Sequence, residues 1–271
     1  MRHGGILVVV LLTLALSKAS DAQLALYDNF NSRQIDPAKW IGERSSPDGS
    51  DANRREVAVQ VVGEENRRLR ISETVYSANT SNVGSGGDGF GLGFASPNNV
   101  TSVSFTLTMV KDAPLSCAGN SGFGWGGAGF FGDYFNPTGV YDGAIGDIAA
   151  SVSVGRSSVE APTSITASGA IILCNDRKCD NQGTLASQVL GSVPLGSTNT
   201  FSVTWDRPTH QFIFQMNNDA PVPLAYTVSD AFAPGLPDKS LWVFGDVPHC
   251  TNKPRPSATI DALFDNVYVN R

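Results

Sequence analysis

The sequence predicts an all-β sandwich of two antiparallel sheets, and three observations carry that reading. An aromatic-Asp-Asn step stands at each end, Tyr27-Asp28-Asn29-Phe30 near the start and Phe264-Asp265-Asn266-Val267-Tyr268 near the close. Matching phrases at both ends place the first and last strands side by side. Segment 101–110 alternates, with Val103, Phe105, Leu107 and Met109 on one side and Ser102, Ser104, Thr106 and Thr108 on the other. A period of two marks a strand with one buried and one wet face. No stretch keeps the helical period over three turns, whereas many short apolar segments are punctuated by Gly, Pro and Asn, as sandwiches and barrels require.

Taken in order, residues 1–22 read as a secretory signal. Arg2 supplies the positive start, residues 6–16 are apolar, and Ser20-Asp21-Ala22 offers a cleavage site, with Ser17-Lys18-Ala19 as the alternative. The apolar run is shorter than the roughly 20 residues a membrane span needs. No cysteine follows it, which argues against a lipid anchor. Asp36-Pro37-Ala38-Lys39-Trp40 has the form of a short helical turn, an N-cap followed by proline. Strands are expected at 56–62, 68–75, 101–110, 147–154, 164–174, 200–205, 211–216, 241–247 and 259–269. Trp205-Asp206-Arg207-Pro208-Thr209-His210 reads as a hairpin turn returning Phe212 and Phe214 against Phe201 and Val203. The glycine-rich stretches 83–94 and 119–132 interleave glycine with Phe, Trp or Leu, so they read as bent strands and tight loops, not linkers. Residues 23–271 therefore form a single domain, long enough for a sizeable core.

Without residues 1–22 the chain carries 17 basic and 24 acidic residues. That balance argues against nucleic acid and anionic membranes, which reward clustered positive charge. Arg54-Arg55 and Arg67-Arg68 are locally basic, but each lies beside glutamates. Of the four cysteines, Cys174 and Cys179 enclose a polar tetrapeptide and favour a local disulfide. Cys117 would then join Cys250, although four cysteines allow three pairings. A metal site would need further ligands, and His210 and His249 are the only histidines past the signal. Structural disulfides in an oxidising compartment are the better reading.

The opening phrase with its Asp-Pro-x-x-Trp, the Trp-Asp hairpin before Phe-x-Phe, and the closing Phe-Asp-Asn-Val-Tyr-Val resemble secreted concanavalin A-like lectin/glucanase domains. More particularly, nearly the whole mature chain resembles an uncharacterised group of exported bacterial proteins of that superfamily. The resemblance implies a jelly roll whose concave sheet can cradle a sugar chain. It leaves function open, because the superfamily includes glycanases, polysaccharide lyases, lectins and adhesion modules.

A glycanase needs two carboxylates across the scissile bond, about 5 to 5.5 Å apart for retention and about 6.5 to 9.5 Å for inversion. In laminarinase-like family 16 glycoside hydrolases both lie on one strand, in Glu-x-Asp-x-(x)-Glu. No such motif exists here: the glutamates past the signal are Glu43, Glu56, Glu64, Glu65, Glu73 and Glu160. The nearest imitation, Ile145-Gly146-Asp147-Ile148-Ala149-Ala150, has apolar residues where the glutamates would stand. Asp133 and Asp147 are the remaining candidates for an atypical pair in a polysaccharide-degrading enzyme. Arg54-Arg55-Glu56-Val57 faintly matches an alginate-lyase element, but the Gln-x-His and Tyr-x-Lys-x-Gly elements are missing. Gly119-Asn120-Ser121-Gly122 is not a nucleophile elbow, and neither His210 nor His249 has an acidic orienter nearby in sequence.

The segment from Trp125 to Asn136 is the best binding candidate. Sugars stack their C–H faces on aromatic rings while their hydroxyls bond to polar side chains. Trp125, Asp133, Tyr134, Asn136, Tyr141 and Arg156 are the expected carbohydrate contacts; the rival reading makes this segment's aromatics core residues. Asp28 and Asp265 would be neighbours if the terminal strands pair, and could hold a structural calcium ion. Asn79-Thr80-Ser81 and Asn99-Val100-Thr101 match the glycosylation sequon, unused if the source is bacterial. The expectation is thus a secreted or periplasmic monomer that recognises a glycan without catalysis. A polysaccharide-degrading enzyme and a protein-binding adhesive module are the alternatives.

Overall fold

The computed structural model describes residues 23–45, 55–78, 81–163, 165–251 and 256–270. The signal at 1–22, Asn79 of one sequon, and Arg54 lie outside the described residues. The alternating segment becomes a long strand, Ser102–Pro114, with Val103, Phe105, Leu107 and Met109 all buried. It is the sixth of fifteen described strands: β1 (Leu24–Asp28), β2 (Trp40–Ser45), β3 (Arg55–Val62), β4 (Arg68–Tyr76), β5 (Ser85–Phe94) and β6 (Ser102–Pro114). There follow β7 (Trp125–Phe135), β8 (Ile148–Ser157), β9 (Ile165–Cys174), β10 (Gln182–Val193) and β11 (Thr198–Asp206). The last are β12 (Gln211–Met216), β13 (Val222–Ala225), β14 (Lys239–Pro248) and β15 (Ser257–Asn270).

They form two antiparallel sheets. One runs β13-β12-β11-β6-β15-β4-β3 with β1 also on β15; the other runs β10-β9-β8-β7-β14-β5-β2. The chain passes repeatedly from one sheet to the other, which makes the sandwich a jelly roll. The terminal strands are neighbours, with Leu24 opposite Asn270 and Asp28 opposite Val267. The expected hairpin is present: Val203 faces Phe214 and Trp205 faces Phe212. A 3-10 turn, Arg207–Thr209, closes it, and His210 takes a φ of 52° to re-enter the sheet.

Between the sheets lies an aromatic core centred on Phe105, whose ring is 6.3 Å from Phe130, 5.9 Å from Phe201 and 6.2 Å from Phe264. Both disulfides pair as the tetrapeptide argument expects, Cys174 with Cys179 and Cys117 with Cys250. The second closes a separation of 133 residues, worth roughly 5 kcal/mol on the chain-entropy model.

Two local expectations need correction. Asp36 starts a turn, not a helix: its carboxylate accepts Ala38 N and its carbonyl accepts Lys39 N and Trp40 N. The turn ends there because β2 begins at Trp40, whose buried ring stacks with Phe30; one unextended turn cannot propagate as helix. β10 was missed, since its exposure follows no clean period of two. The glycine-rich stretches, read as bent strands and tight loops, hold β5 within 83–94 and the start of β7 within 119–132. Among the described residues no helix is long and apolar enough to cross a membrane.

Candidate groove on the second sheet

The outer face of the second sheet carries a groove of about 990 Å³. β7 and β14 form its middle, with Trp125 opposite Asp246, Gly127 opposite Phe244, Gly129 opposite Trp242 and Phe131 opposite Ser240. β5 flanks β14 and sets Gly87, Gly89, Gly91 and Gly93 beside Asp246, Phe244, Trp242 and Ser240. Phe244 and Trp242 therefore each stand between two glycines. The opposite face of β14 puts Leu241, Val243 and Val247 into the core, so strand alternation commits the aromatic set to the groove.

The glycines are needed sterically. A β-carbon on Gly127 would lie 2.5 Å from the Trp125 ring, and one on Gly87 would lie 2.7 Å from Phe244 Cζ. The Trp125 ring thus lies down on its own strand over Gly127, and the Phe244 ring on the neighbouring β5 over Gly87, an arrangement that turns their faces toward the groove. Trp125 and Phe244 have centroids 5.6 Å apart with planes at 48°, and Phe244 and Trp242 are 6.3 Å apart at 75°. Ser85 Oγ donates to Asp246 Oδ2 at 3.2 Å. Asp246 Oδ1 and Trp242 Nε1 are enclosed by their neighbours and have no hydrogen-bond partner among the described residues. β8 adds Ser151 and Ser153 to the lining, Ser153 Oγ lying 2.9 Å from Ser168 Oγ.

At the far end the lining comes from Lys178, Cys179 and Asp180 of the disulfide loop, with Leu236 and Asp238 opposite. Asp176 holds that loop by accepting the N–H groups of Lys178, Asp180 and Asn181. Burial pushes its carboxyl up, but the backbone donors outweigh that and leave it below the ordinary value.

Of the six expected carbohydrate contacts, Trp125 lines the groove. Asp133 is 1% exposed; its N–H donates to Asp238 O, its carbonyl accepts Lys239 Nζ at 2.7 Å, and Cys174 Sγ lies 3.7 Å from its carboxylate. Tyr134 turns inward onto Phe212 and Trp205, with Lys239 Nζ 4.4 Å above its ring. Burial pulls the Lys239 ammonium down to about 8, against the attraction of Asp133 and Asp238. Asn136 is fully buried and ties the turn that follows it, donating to Val140 O and Ile145 O while accepting Thr138 N and Gly139 N. Tyr141 is exposed on that turn and does not line the groove. Arg156 points into the sandwich, where it donates to the carbonyls of Asp112, Ser157 and Glu160. Trp242, Phe244 and Asp246 were missed, although the alternation of segment 241–247 was the signal that could have found them.

The carboxylate pair considered for catalysis does not converge on the groove. Asp147 is fully buried; Oδ1 accepts Asn136 Nδ2 and Gly235 N at 2.8 Å, and Oδ2 accepts Leu236 N at 2.9 Å. It pins the 231–238 loop to the sheet. The donor set proposed for calcium does not fit that ion either. Asp28 Oδ1 accepts Phe30 N and faces Lys39 Nζ at 3.7 Å, while Oδ2 accepts Trp40 Nε1 at 2.7 Å. Calcium wants six to eight oxygen ligands, and here N–H groups and an ammonium already occupy Asp28. Burial raises the Asp265 carboxyl above its ordinary value, and the Asp28 charge adds to that. Asp133, Cys174 and Cys179 bring their ligand atoms within 4.8 Å of one another, but both sulfurs are committed to the disulfide.

No family model matches the chain, and no curated protein matches it. Among solved structures it is similar to LamAcat from Zobellia galactanivorans, at 11% identity and a TM-score of 0.43, over 90% of this chain and 96% of that one. A glycoside hydrolase family 16 endo-glucanase from Bacteroides ovatus aligns at 11% identity and a TM-score of 0.44, over 89% and 98% of the two chains. Lectin II from Ulex europaeus aligns at 12% identity and a TM-score of 0.34, over 82% and 97%.

Proposed function

We propose that this protein is an exported, non-catalytic carbohydrate-binding protein and that the groove on the second sheet is its glycan site. The observation that carries the reading is the platform of Trp125, Phe244 and Trp242 laid over glycine backbone. Flat aromatic faces offer the C–H surface of a pyranose ring a stacking partner, and serines and carboxylates around them suit its hydroxyls. Trp242 N–H and Asp246 Oδ1, without a hydrogen-bond partner among the described residues, favour a hydroxyl-rich ligand. An enclosed orphan polar atom costs about 1 to 3 kcal/mol, part of which a bound hydroxyl would recover once the side chains adjust. Two disulfides fit an oxidising compartment and support the reading of residues 1–22 as an export signal. N-terminal sequencing of the exported protein should then begin at Gln23.

The test of the site is affinity electrophoresis of the oxidised protein through gels containing a panel of soluble polysaccharides. At least one polysaccharide should retard it, and Trp125→Ala and Trp242→Ala should each weaken that retardation about tenfold or more, as loss of one stacked ring implies. Absence of retardation across the panel, or retardation unchanged in both variants, would remove the groove as a glycan site.

A further inference from the structure

The groove is charged mostly with one sign. The ionisable residues in its lining are Asp180, Asp238, Asp246 and Lys178, in a chain whose formal net charge is −6. Two of those carboxylates have a positive charge at hand: Lys178 shares the disulfide loop with Asp180, and Lys239 is drawn to Asp238. Asp246 stands at the other end without one. Ser85 Oγ is its hydrogen-bond donor, Oδ1 has no partner, and no ammonium or guanidinium pairs with it among the described residues.

The neighbours of Asp246 are aromatic. Trp125 is directly opposite it on β7, and Gly87 directly opposite on β5. Opposed residues share a face, with β-carbons about 4.5 to 5.5 Å apart. The Phe244 ring fills the space above Gly87, so the carboxylate has an indole on one side and a phenyl ring on the other. Neither ring gives it a hydrogen bond, and the faces of both carry the negative side of their quadrupole. Such a bracket is a seat for a cation. Attraction to an ammonium falls only as the inverse of distance, and ring faces within about 6 Å add to it. A neutral hydroxyl must come within about 3 Å of an oxygen, and Oδ1 is enclosed. An anion is repelled by the same arrangement.

We propose that the glycan taken by this groove is a polysaccharide bearing free amino groups, one of them held as an ammonium by Asp246 between Trp125 and Phe244. The proposal names a ligand class and rests on the glycan reading of the groove. Stacking on Trp125 and Trp242 serves any pyranose, whereas Asp246 chooses among them by charge. Uronate and sulfated chains are disfavoured on the same ground. Asp238 lies about 26 Å from Asp246 along an extended strand, so a chain of amines meets a carboxylate at each end of the groove and a single amino sugar meets one. Repeated contacts of this kind favour the polymer over its monomer.

Isothermal titration of the oxidised protein at about pH 5.5, where amino-sugar amines are charged, tests the assignment with three soluble probes. They are a β-1,4-linked hexamer of glucosamine, the same hexamer fully N-acetylated, and a hexamer of galacturonate. The glucosamine hexamer should bind about tenfold or more tightly than its acetylated form, and the galacturonate hexamer most weakly. Asp246→Asn should remove most of that preference. Raising salt from about 20 to about 200 mM should reduce it several-fold in the wild type, because Asp246 is only half-buried and open to screening. Asp219→Asn removes an exposed carboxylate beside β12 of the other sheet and should keep the preference, which separates Asp246 from the general negative charge. Equal affinity for the three hexamers, tighter binding of the acetylated or galacturonate form, a preference untouched by Asp246→Asn or by salt, or one that Asp219→Asn abolishes equally would overturn the amine assignment and leave the groove a glycan site. Silence toward all three overturns it as well, and the polysaccharide panel then decides the glycan reading on its own.

Discussion

Trp125 and Phe244 meet at 5.6 Å across β7 and β14, and Gly127 sits directly beneath the indole. The ring lies flat because that position has no side chain. Gly127→Ala should therefore lift the indole off the sheet without emptying the core. The expected result is a loss of polysaccharide retardation approaching that of Trp125→Ala, with unfolding free energy in urea lowered by no more than about 1 to 2 kcal/mol. If the alanine variant binds as well as wild type, the flat ring is not what the ligand uses.

Trp242 separates stacking from hydrogen bonding. Trp242→Phe keeps an aromatic face and removes an N–H that has no partner among the described residues. Deleting an orphan donor should leave stability unchanged or raise it by about 1 kcal/mol. Polysaccharide affinity should nevertheless fall several-fold, because the donor meant for a ligand hydroxyl is gone. Chemical denaturation beside affinity electrophoresis reads both, and a loss of stability with full affinity would contradict the assignment.

The buried carboxyl of Asp112 makes stability depend on pH. Its oxygens have no hydrogen-bond partner among the described residues and it packs against Gly126 inside the sandwich. Burial pushes its pKa from 3.8 to about 7; Arg156 opposes that shift and the Glu160 charge adds to it. Below both values the group is protonated folded and unfolded alike. As pH rises from about 4 to about 7 the unfolded chain releases the proton first, so the folded state loses stability across that window and levels off above it. The contribution is on the order of 2 to 4 kcal/mol, at about 1.4 kcal/mol per pH unit. Asp112→Asn should accordingly be more stable than wild type at pH 8 and close to it at pH 4. Thermal melts at the two values decide it, and an equal effect at both would mean that the ionised group is accommodated.

The sheets were legible where alternation was clean and only loosely bounded where glycine replaced it. Val103 to Met109 announce β6, and the matched ends announce the β1–β15 pair. β5 carries glycine at 86, 87, 89, 91 and 93, a run that intrinsic preference would never assign to a strand. Its reason lies on the neighbouring strand, in the rings that need the space. Tyr134 and Arg156 looked like ligand contacts because polar and aromatic groups near glycine resemble a binding loop. Arg156 instead shares a face with Val152 and Val154, and a register break between Asp133 and Phe135 turns Tyr134 and Phe135 both inward. Periodicity could have placed the arginine; no sequence signal marks the break.

Asp147 decides between a catalytic and a structural carboxylate. Three donors converge on it, Asn136 Nδ2, Gly235 N and Leu236 N, and water does not reach it. Asp147→Ala would leave the two backbone N–H groups of the 231–238 loop without their acceptor and Asn136 without one of its partners. Breaking a buried network of charge-assisted bonds should cost about 3 kcal/mol or more. Asp147→Asn keeps the shape and one acceptor oxygen, so it should recover part of that loss. A structural carboxylate predicts that both variants lose stability in that order while any polysaccharide they meet stays intact, in their hands and in those of the wild type. Release of reducing sugar by the wild type, abolished in the folded asparagine variant, would instead put Asp147 in a reaction and remove the non-catalytic reading of the groove.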